Sequence, residues 1–283
     1  VEEVEDRETQ ISLEDAQKIK GDYKAGDVAE FEVTPDSFGR IAAQTARQVV
    51  FQRIREAERE KMVDEYSDRE NSIASAIVRK IERRNVMLEI DGAESVLMPN
   101  EQVKHDNYRV GERYKVFVVE VADSIKGVHL VVSRSHPGLV RCLFELEVPE
   151  MAQGIIEFKG ISREAGSRSK IAVASTMDNV DPVGTCIGPK GMRVQNVIDE
   201  LRGEKIDIIR YSDDPAEYVS NALSPADVVS IEVFPENKMC KVVVPESQLS
   251  LAIGKEGQNV RLAARLTGWK IDLSSIPDNE IKK

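Results

Sequence analysis

The sequence predicts an α+β chain of several domains: an N-terminal segment running into a long connector helix, a small five-stranded barrel, and one α-β-β-α-α-β unit present twice. Three observations carry that reading. Apolar residues recur at intervals of three and four from Phe38 to about Tyr66; five short β-rich runs follow one another between residues 71 and 135; and "CIGPKGMRVQNV" at Cys186–Val197 returns as "AIGKEGQNVRLA" at Ala252–Ala263. Periodicity separates helix from strand, and self-similarity marks a duplicated unit.

Residues 1–36 hold one strand-like run, "VAEFEV" at Val28–Val33, closed by the turn signal "TPDS". Asp36 or Ser37 is suited to cap the next helix, whose apolar positions are Phe38, Ile41, Ala42, Thr45, Val49 and Ile54. After Val50 the chain reads "QRIREAEREK", so this helix is expected to leave its domain as a solvated connector. The runs "IASAIVRKI", "NVMLEI", "ESVLMP", "RYKVFVVEV" and "GVHLVVSRS", parted by polar or glycine turns, have the number and spacing of a closed barrel of the OB type. "SRSHPG" at Ser133–Gly138 reads as a boundary.

In the first repeat, "LVRCLFELEVP" is a helix, "GIIEFKGISRE" and "SRSKIAVAST" are strands, "DPVGTCIG" leads into a loop, "GMRVQNVIDELRG" is a helix and "KIDIIRYS" a strand. The second repeat keeps this order, from "DPAEYVSNALS", with Asp214 as N-cap and Pro215 in the first turn, to "KIDLSSI". Ile187 aligns with Ile253 and Val194 with Val260.

The 283 residues carry a net charge of −11, which at face value argues against a polyanionic partner. The charge is uneven: residues 1–70 hold 19 acidic against 11 basic side chains, leaving 31 against 28 elsewhere. An acidic segment is thus attached to a nearly neutral body, and local basic surface decides whether phosphate is attracted. No run approaches the roughly 20 apolar residues of a membrane span. The N-terminal "VEEVEDRETQ" is acidic where a signal peptide is basic and then apolar. A cytoplasmic protein without membrane contact is expected, and the missing initiator methionine suggests a start within a longer protein. Cys142, Cys186 and Cys240 form no CxxC pattern and read as buried thiols; His105, His129 and His136 form no ligand set. No metal, cofactor or catalytic constellation is expected.

Each repeat carries I-G-x-x-G between two short helices. Glycine admits positive φ and a close approach by a ligand backbone, while the second helix offers unpaired N–H groups and the positive end of its dipole. Phosphate is the guest this suits. A nucleotide P-loop is excluded because Pro189 follows the second glycine of "GTCIGPKG" and Leu249 replaces the earlier glycine in the other copy. A dinucleotide loop fails for want of a third glycine. As a bare linker between helices, one Gly-x-x-Gly would be unremarkable; two in the same frame are not explained that way.

Gly-x-x-Gly between helices is the signature of KH domains, whose loop clamps about four single-stranded nucleotides. The helix-first order looks like the prokaryotic type of that fold. With the barrel in front, the strings "DPVGTCIGPKGMRVQNV", "NALSPADV" and "LSLAIGKEGQNVRLAARLTGWKIDL" resemble the NusA family of bacterial transcription elongation and termination factors over about residues 28–283. The resemblance implies a partial α/β N-terminal domain that docks on RNA polymerase (1–68), an OB barrel of the ribosomal-protein S-one type (69–136), and two tandem prokaryotic-type KH domains (137–211 and 212–283). It nominates Ile187, Gly188, Pro189, Lys190 and Gly191 as the first RNA clamp with Arg193, Gln195 and Asn196 beside it. In the second unit it nominates Ile253, Gly254, Lys255, Glu256 and Gly257, with Gln258, Asn259 and Arg261.

The residue chemistry agrees. Lys190, Lys255, Arg193 and Arg261 suit phosphates, and the amides of Gln195, Asn196, Gln258 and Asn259 suit base edges. Val194, Val197, Ile198 and Leu201, and Val260, Ala263, Ala264 and Leu266, read as core faces, and Trp269 as packing. Lys104, His105 and Arg134 are candidate barrel contacts, although the barrel strands lack the aromatic platforms that grip single strands, so a spacer barrel is the competing reading. The expected function is regulation of transcription elongation, pausing, termination and antitermination by a non-enzymatic monomer. The expected partners are nascent single-stranded RNA, RNA polymerase and other antitermination factors. The alternatives are an RNA-processing enzyme with KH and OB modules, whose order differs and whose catalytic residues are missing here, and a ribosome-associated protein, for which a pI near 5.0 is unusually acidic.

Overall fold

The computed structural model describes residues 10–28, 30, 36–67, 69–124 and 127–279, and the chain divides into two compact units, Val1–Glu58 and Arg59–Lys283. In the first unit, helix α1 (Leu13–Ile19) was not foreseen from the sequence. Ser12 makes it: its hydroxyl oxygen accepts from the Asp15 amide at 3.2 Å and thereby caps the first turn. The expected strand at Val28–Val33 lies outside the described residues, apart from Val28. Helix α2 (Asp36–Ser67) runs the predicted course; the side chains of Asp36, Ser37, Phe38 and Ile41 lie outside the described residues. Of the stripe expected to pack, Val49 and Ile54 are instead about half exposed, as are Val50 and Phe51 beside them. The solvated character assigned to the helix after Val50 therefore begins earlier.

The second unit opens with the barrel: β1 (Ile73–Glu82), β2 (Asn85–Ile90), β3 (Ala93–Leu97), β4 (Arg113–Ser124) and β5 (Gly127–Ser133). It closes in the order β1-β2-β3-β5-β4, with β1 paired to β4 and only β3–β5 parallel. Alternation fixes which side chains face inward: Val86, Leu88 and Ile90 of β2 and Leu97 of β3 are buried, and Tyr66 from the end of α2 joins them. The Tyr66 hydroxyl donates to the Asp91 carbonyl at 3.0 Å.

Next come α3 (Pro137–Glu147), α4 (Pro149–Ala152), β6 (Ile156–Glu164), β7 (Arg168–Ser175), α5 (Pro182–Ile187), α6 (Met192–Glu200) and β8 (Lys205–Arg210). They are followed by α7 (Pro215–Ala222), β9 (Ser230–Phe234), β10 (Met239–Pro245), α8 (Leu249–Ile253), α9 (Gln258–Thr267) and β11 (Lys270–Ile276). Both repeats build a three-stranded sheet from an antiparallel hairpin and a parallel third strand, β6-β7-β8 and β9-β10-β11. Asp181 and Asp214 cap α5 and α7, each with proline in the first turn. The first core gathers Leu139, Leu143, Phe144, Ile171, Val173, Val197 and Leu201; the second gathers Val219, Leu223, Val242, Val244, Ala252 and Ala263, with Trp269 against it. All three cysteines are free and buried, and burial pushes the Cys186 thiol up to about 12.

Buried cations tie these parts together. Arg134, 1% exposed, spans Asp106 (Nε to Oδ2, 2.6 Å; Nη2 to Oδ1, 3.1 Å), the Lys115 carbonyl (2.7 Å) and, at the end of α6, the Glu200 carbonyl (3.1 Å). Arg163 pairs with Glu204 and reaches the His136 carbonyl at 2.7 Å. Lys170 of β7 donates to Asp207 and, in the second repeat, to the Ser224 carbonyl, both at 2.8 Å. The β6–β7 turn touches both the barrel and the second repeat: a Cβ at Gly166 would collide with Val103 of the barrel, and Glu164 and Ser167 hold the side chain of Gln258 in α9.

Candidate nucleic-acid interface

The two glycine loops have the same backbone despite different sequences. Gly188 has φ 74° and ψ 175°, Lys190 has φ 54°, and Gly191 has φ 76°. Their counterparts Gly254, Glu256 and Gly257 have φ 74° with ψ 171°, φ 54° and φ 72°. The first glycine of each loop occupies a region open only to glycine, and the last is left-handed. A left-handed Lys190 and Glu256 each carry roughly 1–2 kcal/mol of strain, retained identically in both copies.

The glycines of each pair face different surroundings. A Cβ at Gly188 would lie 2.6 Å from Arg193 Cγ, and one at Gly254 would lie 2.8 Å from Asn259 N and Cβ; at Gly191 and Gly257 nothing stands within 4 Å. The first glycine is therefore the seat of the loop, and the last is its open flank. Neither α6 nor α9 receives a side-chain cap at its N-terminus; the Met192 and Gln258 amides instead donate to the Pro189 and Lys255 carbonyls within the loops. Pro189, Lys190, Lys255 and Glu256 are exposed. Apolar side chains stand exposed beside each loop: Ile187 and Met192 (61%) at the first, Leu251 and Ile253 at the second. Met192 and Leu251 were not singled out from sequence; the first follows Gly191 directly and the second stands three residues before Gly254, each an apolar residue off the core stripe.

Arg193 and Asn259 stand at the same register and support their loops from beneath. Arg193 Nη1 donates to the Thr185 carbonyl at 2.8 Å and, with Nη2, to the Glu150 carboxylate at 3.0 and 3.2 Å. Bonding to its own backbone amide and to Arg193 holds Glu150 below the usual carboxylate range. Asn259 is 2% exposed and its Nδ2 donates to the carbonyls of Leu223 (2.9 Å) and Ala252 (3.1 Å). That corrects the expectation of a base reader, because the amide is enclosed by the α7–α8–α9 junction.

The remaining polar side chains beside the loops are engaged within the protein. Gln195 donates to Asp199 and Asn196 to Glu147, each at 2.8 Å. Gln258 donates to Glu164 and Ser167, each at 2.8 Å, and Arg261 donates through Nε to Glu164 at 2.7 Å and through Nη1 to the Glu256 carbonyl at 3.0 Å. In the barrel, Lys104 and His105 are exposed. Arg134 is not available as an RNA contact: all of its donors turn inward to the junction with α6. Among the described residues no group of three or more His, Cys, Asp or Glu is placed to hold a metal, and no helix is long and apolar enough to cross a membrane.

Profiles of known families match along the chain: the NusA N-terminal domain over residues 1–60, the NusA-like first KH domain over 134–211 and the NusA-like second KH domain over 215–281. The "Transcription termination/antitermination protein NusA" of Bacillus subtilis is 52% identical over 278 residues, 98% of this chain and 75% of that protein. Its namesake from Halalkalibacterium halodurans is 53% identical over 97% of this chain and 72% of the relative, and that from Thermus thermophilus 47% over 96% and 70%. Identity at this level across nearly the whole chain, with family profiles on the N-terminal segment and on each of the two repeats, establishes that the chain belongs to the NusA family.

Proposed function

We propose that the chain is a non-enzymatic, RNA-binding regulator of transcription elongation, pausing, termination and antitermination, and that its two Gly-x-x-Gly loops hold nascent single-stranded RNA. The observation that carries this is the pair of loops with matching dihedrals, each with an open glycine flank, an uncapped helix N-terminus and an exposed apolar shelf. Backbone amides and Lys190 or Lys255 meet phosphate oxygens, and Ile187 with Met192, or Leu251 with Ile253, support the bases. The working units are the barrel over 69–136 and KH units over 137–211 and 212–283, and a strand that spans both clamps gains avidity.

RNA polymerase is assigned to the N-terminal segment. The exposed apolar side chains of Val49, Val50, Phe51 and Ile54 on an otherwise charged helix suit a protein partner. Relatives named for termination and antitermination support a cytoplasmic site of action and further antitermination partners.

The test is titration of single-stranded oligoribonucleotide into the chain and two variants. Pro189→Asp with Lys190→Asp converts a +1 loop, and Lys255→Asp with Glu256→Asp a neutral one. The first variant is expected to lose more affinity, and rising salt to weaken binding of the parent chain through counterion release. Equal or reversed losses refute the ranking, and no loss in either variant refutes the clamp reading.

A further inference from the structure

The two clamps are held in different ways. The first is secured from inside its own repeat by Arg193, which reaches Thr185 and Glu150. The second has Asn259 beneath it and is secured from outside as well. Arg261 places one edge of its guanidinium on the Glu256 carbonyl, inside the loop, and the other on Glu164, at the end of β6 in the first repeat. Gln258, the first residue after the loop, is held by Glu164 and Ser167 of the same β6–β7 turn. The counterparts in the first repeat have no such hold: Met192 is exposed, and Gln195 bonds along its own helix to Asp199.

We propose that Glu164 is a positioning residue for the second RNA clamp, through which the first repeat sets the shape of a loop that belongs to the second. This rests on the RNA-clamp reading above. Glu164 does not touch the strand. It fixes Arg261, which fixes the Glu256 carbonyl in its left-handed setting, and it neutralises Arg261 so that this cation is not spent on phosphate. The sign of the effect separates this role from a plain charge. A carboxylate close to an RNA clamp repels phosphate, so a Glu164 acting only as a charge predicts tighter binding once it is removed. A positioning Glu164 predicts weaker binding.

The experiment uses the full chain with Glu164→Ala and Glu164→Gln, single-stranded oligoribonucleotide long enough for both clamps, and amide hydrogen exchange without RNA. Glu164→Ala is expected to speed exchange at Glu256 and Gly257 while leaving Lys190 and Gly191 unchanged. It should also weaken RNA binding about fivefold or more, the lower end of measured couplings between sites. Glu164→Gln, which keeps an acceptor for Arg261 but not the charge, should fall between. The loss should vanish when Lys255→Asp and Glu256→Asp have already disabled the second clamp, and persist in the Pro189→Asp, Lys190→Asp background. Unchanged exchange at Glu256 and Gly257, tighter RNA binding, or a loss that adds fully to that of the disabled second clamp overturns the proposal. Faster exchange at the loop with RNA binding untouched leaves Glu164 as the loop's support and overturns the clamp reading of that loop.

Discussion

Replacing Arg134 by methionine removes a guanidinium that is 1% exposed while keeping most of its volume. What stays behind decides the magnitude. The Asp106 side chain is 0% exposed and loses both Arg134 bonds, keeping the Tyr108 hydroxyl at 3.0 Å. The carbonyls of Lys115 and Glu200 lose donors as well. Stripping one partner from a buried ion pair costs about 3–5 kcal/mol, mostly from the charge left unpaired. For a unit of this size each kcal/mol lowers the melting temperature by about 2–4 °C, so thermal unfolding followed by circular dichroism should shift down by roughly 6–20 °C. The double variant Arg134→Met, Asp106→Asn leaves an amide and no charge, and should recover about 2 kcal/mol of the loss. A single-variant loss under about 1 kcal/mol, or a double-variant loss equal to the two single losses added together, would show that the hub is not a coupled buried pair.

The two glycines of the second loop should not be equivalent. Gly257→Ala meets open space and bears only the left-handed penalty of about 1–2 kcal/mol. Gly254→Ala also drives a methyl into the α9 backbone at Asn259, adding about 1–3 kcal/mol of overpacking; equal melting temperatures for the two variants contradict that account. The junction between the repeats should also respond to acid. The Arg261 hydrogen bond holds the Glu164 carboxyl below its ordinary value of 4.5. Its contribution to stability is therefore complete above pH 4.5 and lost as pH falls through the lower folded-state value. Denaturant midpoints measured down that window should fall further for the parent chain than for Glu164→Gln; parallel curves would dismiss the linkage.

Much of this architecture was legible in the sequence because its signals are local. Alternation in "NVMLEI" specifies a strand with Val86, Leu88 and Ile90 inward, and Asp214 ahead of Pro215 specifies a capped helix. The glycine loops were legible for the same reason, since the first position of each is open only to glycine and the last strongly favours it. What escaped depends on partners far away in the chain. Arg261 and Arg134 read as surface cations until Glu164, 97 residues distant, and Asp106, 28 residues distant, are placed beside them. Asn259 and Gln258 are neighbours of one polarity, and only the fold of α7 and α8 against α9 buries the first. Helix α1 was missed because seven polar-rich residues give no periodicity and declare themselves only through Ser12.

Helix α6 begins at the first glycine loop and ends at the Glu200 carbonyl gripped by Arg134. At 1.5 Å per residue its nine residues make a strut of about 13 Å. A load applied at that loop is carried along the strut to the barrel, where it falls on these short polar contacts beside the apolar seat that Phe117 and Ile73 make on the first repeat's core. Such contacts are stiff at small displacement and yield abruptly once stretched past hydrogen-bonding distance. Under the proposed clamp reading, a pull on the bound strand reaches the barrel through both: the polar contacts give way first, and the apolar seat holds after them.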